Sequence, residues 1–144
     1  MGSDALAHPL PVSPMEGAMG MVCVAMILGE PVPKKRPRCG RGGARSAQGQ
    51  ADAERAIAWE VKAQNVGMEP ATGPVFVDLL FYSRYGPGHY PQRQADVDNL
   101  AKLVMDALNK ISWDDDRQVV DMRARLIRGA VQPRTFLLVK EIDE

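Results

Sequence analysis

Residues 96 to 116 read DVDNLAKLVMDALNKISWDDD and carry six aspartates in twenty-one positions, with no glutamate. Short carboxylates gathered this closely repel one another, so the cluster costs stability unless something compensates it. Two readings fit. In one, the acids bind a hard divalent cation such as Mg2+, which takes carboxylate oxygens, keeps several waters and shares its other positions with substrate phosphates. Such a site suits attack of water on a phosphodiester, the ion stabilising charge and lowering the pKa of the water. In the other, the acids are a helix cap, a solvated ion-pair ladder and a polar turn, with no chemistry at all.

The elements that must position these residues sharpen the choice. From Val97 to Ile111 the period is helical, with Val97, Leu100, Val104, Ala107, Leu108 and Ile111 on one face. Asp98, Lys102, Asp106 and Asn109 fall opposite that stripe, and Asp98–Lys102–Asp106 is spaced as a ladder. Asp96 stands at the helix start, where an aspartate can cap and where the helix dipole favours a phosphate. Aspartate is a poor helix former at positions such as 98 and 106, and three consecutive acids in one turn repel, so the structural reading fits the set less well than it fits any one residue. Two carboxylates from the helix start and one from the later turn could converge on one ion, with Lys102 contacting the scissile phosphate or steering water.

The remainder of the chain supplies a scaffold. Residues 1–20, rich in Pro, Gly and Ala, read as a disordered leader. MVCVAMIL (21–28) is a continuous apolar run that predicts a strand covered on both faces, followed by a long basic loop over 31–49. A helix is expected at about 50–66, with Ala56, Trp59, Ala63 and Val66 on its apolar face, then a strand over 75–83. Alternation of Val120, Met122, Ala124 and Leu126 with charged residues predicts a half-buried strand, and RTFLLVKEI a last strand, hairpin-paired with it. The order β-α-β-α-β-β predicts an α/β (α+β) domain over 21–144: one mixed sheet of about four strands with two helices packed on it.

Apolar residues make up 45% and charged residues 25% of the 144, ordinary proportions for one globular domain. The longest apolar run is strand-sized, far short of the roughly 20 residues of a membrane span, and no secretory signal is visible. Cys23 and Cys39 lack metal-ligand spacing, which points to a reduced intracellular protein without a zinc site. Net charge is zero but its distribution is polarised: residues 31–45 hold Lys34, Lys35, Arg36, Arg38, Arg41 and Arg45 with no acid. A polyanion at this basic loop and cations at the aspartates is the expectation, the loop holding a nucleic-acid backbone without reading its sequence.

DVDNLAKLVMDALN followed by WDDDRQVVD resembles the RusA-type Holliday junction resolvases, whose pattern is D-x-D-N-L-x-K, then D-A-L, then W-x-D-D-x-Q-V. LGEPVPKKRPR is similar to the family's first strand and basic loop, so the likeness extends over about 21–143 and is strongest over 96–121. The resemblance implies a Mg2+-dependent endodeoxyribonuclease, with Mn2+ as an alternative ion. It implies catalytic carboxylates at Asp96, Asp98 and Asp116 and a catalytic lysine at Lys102. Asp115 would share or assist metal ligation, and Asp114 occupies a variable position. Arg93 joins the basic loop as a DNA contact. A homodimer placing two sites on opposed strands of a four-way junction is implied too, with paired nicks leaving 5′-phosphate and 3′-hydroxyl ends. The setting implied is the cytoplasm of a bacterium, the gene chromosomal or phage-borne.

Several other residues invite assignment. Trp113 reads as a core plug that fixes the acidic turn. Asp78, inside an apolar strand, needs a partner, either a structural hydrogen bond or a role behind the metal ligands. His89 and Tyr90 are exposed loop residues or DNA contacts, and Arg123 and Arg125 either bind phosphate or pair with nearby acids. Two other functions compete: a non-catalytic DNA-binding or assembly module with structural acids, and a nuclease acting on flaps, forks or RNA.

Overall fold

The computed structural model describes residues 20–34, 43–86 and 96–143, with backbone alone at 43–48. Along the chain these form β1 (Met21–Leu28), α1 (Gly43–Gln64), β2 (Val75–Tyr82), α2 (Val97–Leu108), a 3-10 turn (Asp116–Gln118), β3 (Val119–Ile127) and β4 (Arg134–Glu141). The four strands make one mixed sheet in the order β1-β4-β2-β3. β4 runs antiparallel to β1 and β2, whereas β2 and β3 are parallel. A parallel pair needs a crossover, and α2 provides it. The N-terminus of α2 therefore lies at the far ends of β2 and β3, and its C-terminus at their beginnings.

The expected β3–β4 hairpin does not form. β4 inserts between β1 and β2, and β3 pairs with β2 alone. The reason lies in the two sequences: Thr135 to Lys140 of β4 are all buried, as a central strand requires, while Val120 to Arg123 of β3 are exposed, as an edge tolerates.

β1 also departs from expectation. It is an edge strand in which Cys23 and Ala25 are buried while Met26 and Leu28 are exposed, Leu28 at 69%. Its outer edge is closed by side-chain amides from the end of α1. Asn65 accepts from the Val24 N–H and donates to the Val24 carbonyl, and Gln64 makes the same pair with Met26. These amides occupy backbone groups that would otherwise recruit a foreign strand.

α1 starts at Gly43, earlier than expected, because Ala, Gln and Arg in this stretch favour helix in spite of Gly43 and Gly49. Its inward face is Ile57 and Val61, not the predicted one: Trp59 is 68% and Val66 92% exposed. Alanines on several faces left the stripe ambiguous, and the largest side chain misled. α2 follows the middle of its pattern, burying Leu100, Val104, Ala107 and Leu108 along with Leu103, but Val97 at its start is exposed, and the helix ends at Leu108, before Ile111, where Asn109 turns extended and Lys110 takes φ +73°. With Val61, the side chains of Leu100, Ala101, Val104 and Leu108 pack on Val77, Leu79, Phe81 and Leu137 to form the main core, and a smaller cluster of Leu80, Tyr82, Phe136 and Leu138 lies on the opposite sheet face.

Candidate functional site

The first turn of α2 presents two carboxylates. Asp96 holds the N-cap position, its backbone carbonyl accepting the Leu100 N–H at 3.0 Å, yet its carboxylate accepts no capping hydrogen bond. Asp98 and, one turn on, Lys102 are exposed. Among the described residues none of these three side chains has an ion pair or hydrogen bond. The ladder imagined for Asp98, Lys102 and Asp106 does not form, because Asp106 binds Lys34 instead, at 2.6 Å. Two unpaired carboxylates thus sit at the positive end of a helix dipole, which offsets part of their repulsion.

The acidic turn is built quite differently. Trp113 is fully buried and its indole N–H donates to one oxygen of Asp116 at 2.9 Å, orienting that carboxylate. Asp115 caps the 3-10 turn: its carboxylate accepts the Arg117 N–H at 2.9 Å and pairs with the Arg117 guanidinium at 3.0 Å. Hydrogen bonds from Arg117 hold the Asp115 carboxyl below the usual carboxylate range. Gln118 is the hub of the turn. Its carbonyl oxygen accepts from the N–H groups of Asp114 and Asp115, and its amide donates to the carbonyls of Ala71 and Gly73. Sequence reading missed this residue, although a glutamine three positions after a capping aspartate is the sign of a capping box.

The two groups are not brought together within one chain. Among the described residues, no three of His, Cys, Asp and Glu stand close enough to hold an ion. Geometry explains this: Asp98 and Leu108 are ten residues apart on α2, about 15 Å at 1.5 Å per residue, and Asp116 lies beyond the C-terminal end, near Ala71 and the start of β2. The donor set itself, two short carboxylates without a side-chain partner among the described residues and a third oriented by a buried indole, suits a hard cation.

Of the predicted DNA contacts, Lys35, Arg36, Arg38, Arg41 and Arg93, and the side chain of Arg45, lie outside the described residues, as do His89 and Tyr90. Lys34 is described, and its ammonium binds Asp106 and, at 3.3 Å, Glu54. Asp78 proves structural. Fully buried on the face opposite α2, it pairs with Arg123 at 2.6 Å across β2 and β3. Burial pushes its carboxyl up, with the Arg123 guanidinium opposing that shift.

Comparison with known proteins bears on this arrangement. A 53-residue stretch is 38% identical to the uncharacterized protein YqaN of Bacillus subtilis (strain 168), spanning 37% of each chain. No described helix is long and apolar enough to cross a membrane. The family model for endodeoxyribonuclease RusA matches residues 29–140, which include Asp96, Asp98, Lys102 and the whole acidic turn, and the chain therefore belongs to the RusA endodeoxyribonuclease family.

Proposed function

We propose that this protein is a Mg2+-dependent endonuclease that cuts four-way DNA junctions by paired nicks on opposed strands, acting as a homodimer in recombination and repair. One observation carries the reading: Asp96 and Asp98 stand at the start of α2 with no side-chain partner among the described residues, with Lys102 one turn away, in a chain of an endodeoxyribonuclease family. A helix start that carries two aspartates without using either carboxylate as a cap favours a ligand role over a structural one.

Asp96 and Asp98 would hold the ion and Asp116 would complete its shell. When bound, the ion would stabilise charge on the phosphodiester and make water a better nucleophile. Lys102 would place its ammonium against the scissile phosphate, as would the N-terminal N–H groups of α2. Trp113 would keep Asp116 aimed. Asp115 would support the site through the turn it caps.

The separation of Asp98 from Asp116 supports the homodimer. Among the described strands, β3 has a neighbour on one side only, and Val120 and Met122 are exposed along it. The β1 edge is closed by Gln64 and Asn65. Antiparallel pairing of two β3 strands about a two-fold axis would run the Asp116 end of one copy alongside the Ile127 end of its partner. Asp96 and Asp98 stand at that end, so each ion would be shared between copies.

The test is to incubate the protein with labelled four-way junction, fork and linear duplex, with and without Mg2+, and to map the nicks. Metal-dependent nicks at symmetric positions of the junction are expected. Salt-sensitive binding without cleavage of any substrate would leave a DNA-binding module.

A further inference from the structure

Directly after β1, residues 29–34 form a proline-containing segment whose two charged residues, Glu30 and Lys34, reach opposite ends of one connection. Gly29, at φ +109°, turns the chain out of β1, its N–H bonded to the Pro133 carbonyl at 3.1 Å. The Glu30 carboxylate then accepts the Ser83 hydroxyl at 2.5 Å and the Arg84 N–H at 3.0 Å, immediately after β2. Four residues later the Lys34 N–H donates to the Asn99 carbonyl at 2.9 Å, in the first turn of α2. The Lys34 ammonium reaches Asp106, about two turns further along the same helix, and Glu54 on α1. Pro31 and Pro33 stiffen the span between the two contacts.

Ser83 and Asn99 flank the connection that delivers Asp96 and Asp98. Among the described residues the start of α2 has little else to hold it. Asp96 makes no side-chain cap, Val97 and Asp98 are exposed, and Leu100 is the first buried residue of the helix. We propose that Glu30 and Lys34 form a bracket that positions the acidic N-terminus of α2, and that Lys34 is a positioning residue, not a DNA contact. The inference rests on the proposed metal role of Asp96 and Asp98, but the bracket itself can be tested without it.

Hydrogen exchange at the Leu100 amide reads the first turn of α2 directly in the metal-free protein. Lys34→Met and Asp106→Asn are each expected to speed that exchange about ten-fold, with no further gain in the double variant and recovery in Lys34→Arg. Amides of the central strand β4 should stay at the parental rate, which separates loosening of the bracket from global unfolding. In junction cleavage, Lys34→Met should raise the half-saturating Mg2+ concentration by about ten-fold, the size of effect seen when a group behind a metal ligand is lost. Metal-free junction binding should stay within about two-fold of the parent, since a phosphate contact alone would weaken it and alter its salt slope. Parental exchange at Leu100 in Lys34→Met overturns the bracket. Lost junction binding with an unchanged Mg2+ requirement overturns the positioning role and makes Lys34 a DNA contact. If the parent cleaves nothing, the nuclease reading fails, and the exchange measurements still judge the bracket.

Discussion

Trp113 and Asp116 are joined by a 2.9 Å hydrogen bond from a fully buried indole N–H to an exposed turn carboxylate. A large core side chain thus fixes the direction of a small polar one at the surface. The turn is rigid from beneath, through Trp113, and from beside, through Gln118, before any ligand binds.

Trp113→Phe keeps most of the buried volume and removes the N–H. It should cost about 1 to 3 kcal/mol of stability, from the lost hydrogen bond and the space left behind. Junction cleavage should fall about ten-fold or more with binding retained. Denaturant unfolding and single-turnover cleavage at saturating protein are the two measurements.

Asp98→Asn removes one charge from the start of α2 without shortening the side chain. Cleavage is expected to drop at least about a hundred-fold, the loss typical of a group that stabilises the transition state. Junction binding should be retained or improved, because a negative charge near phosphate is gone. A parental rate of cutting would show that Asp98 holds no metal.

Mixing Asp98→Asn with Asp116→Asn distinguishes shared sites from separate ones. If each ion lies between copies, a mixed dimer has one site with both changes and one with neither, so single nicks return. If each chain holds its own ion, neither site is intact and the mixture stays inactive. Nicked junction on a denaturing gel reports the difference.

Gln118→Ala removes four hydrogen bonds at once, leaving the Ala71 and Gly73 carbonyls and two turn N–H groups to find water. A loss of about 2 to 4 kcal/mol follows from leaving part-buried groups unsatisfied. Gln118→Glu keeps the acceptor and loses the donor, and should be no better. Urea melts of the two variants check this.

Cys23 gives a pH signature. Its thiol is buried beside Ser112, at 3.4 Å, and burial pushes its pKa from 9.0 to about 11. A raised folded value means that folding favours the protonated thiol. The contribution is complete below pH 9 and is lost as pH rises towards 11, amounting to about 2 to 3 kcal/mol. Cys23→Ala should flatten that part of the stability profile, and at pH 8 the folded thiol should resist alkylation until the protein unfolds.

What could be read from the linear chain was whatever depends on local spacing. The period of Leu100, Val104 and Leu108 marks α2, the run Phe136 to Val139 marks a strand, and D-x-D-N-L-x-K with W-x-D-D-x-Q-V marks the family, because each signal is complete within a few turns or one strand. Trp113 as a core plug was legible for the same reason, since an indole is costly to leave in water. Strand order was not legible. β4 pairs with strands far from it in sequence, and only the competition for buried edges sends β3 to the outside. Nor could spacing say that Lys34 would leave the basic loop for Asp106, or that Asp78 would meet Arg123, because these partners are 72 and 45 residues apart. Most of all, Asp98 and Asp116 look like neighbours in the chain, eighteen positions apart. A straight helix between them sets them at opposite ends of the sheet, and that rigid separation is decided by the tertiary structure alone.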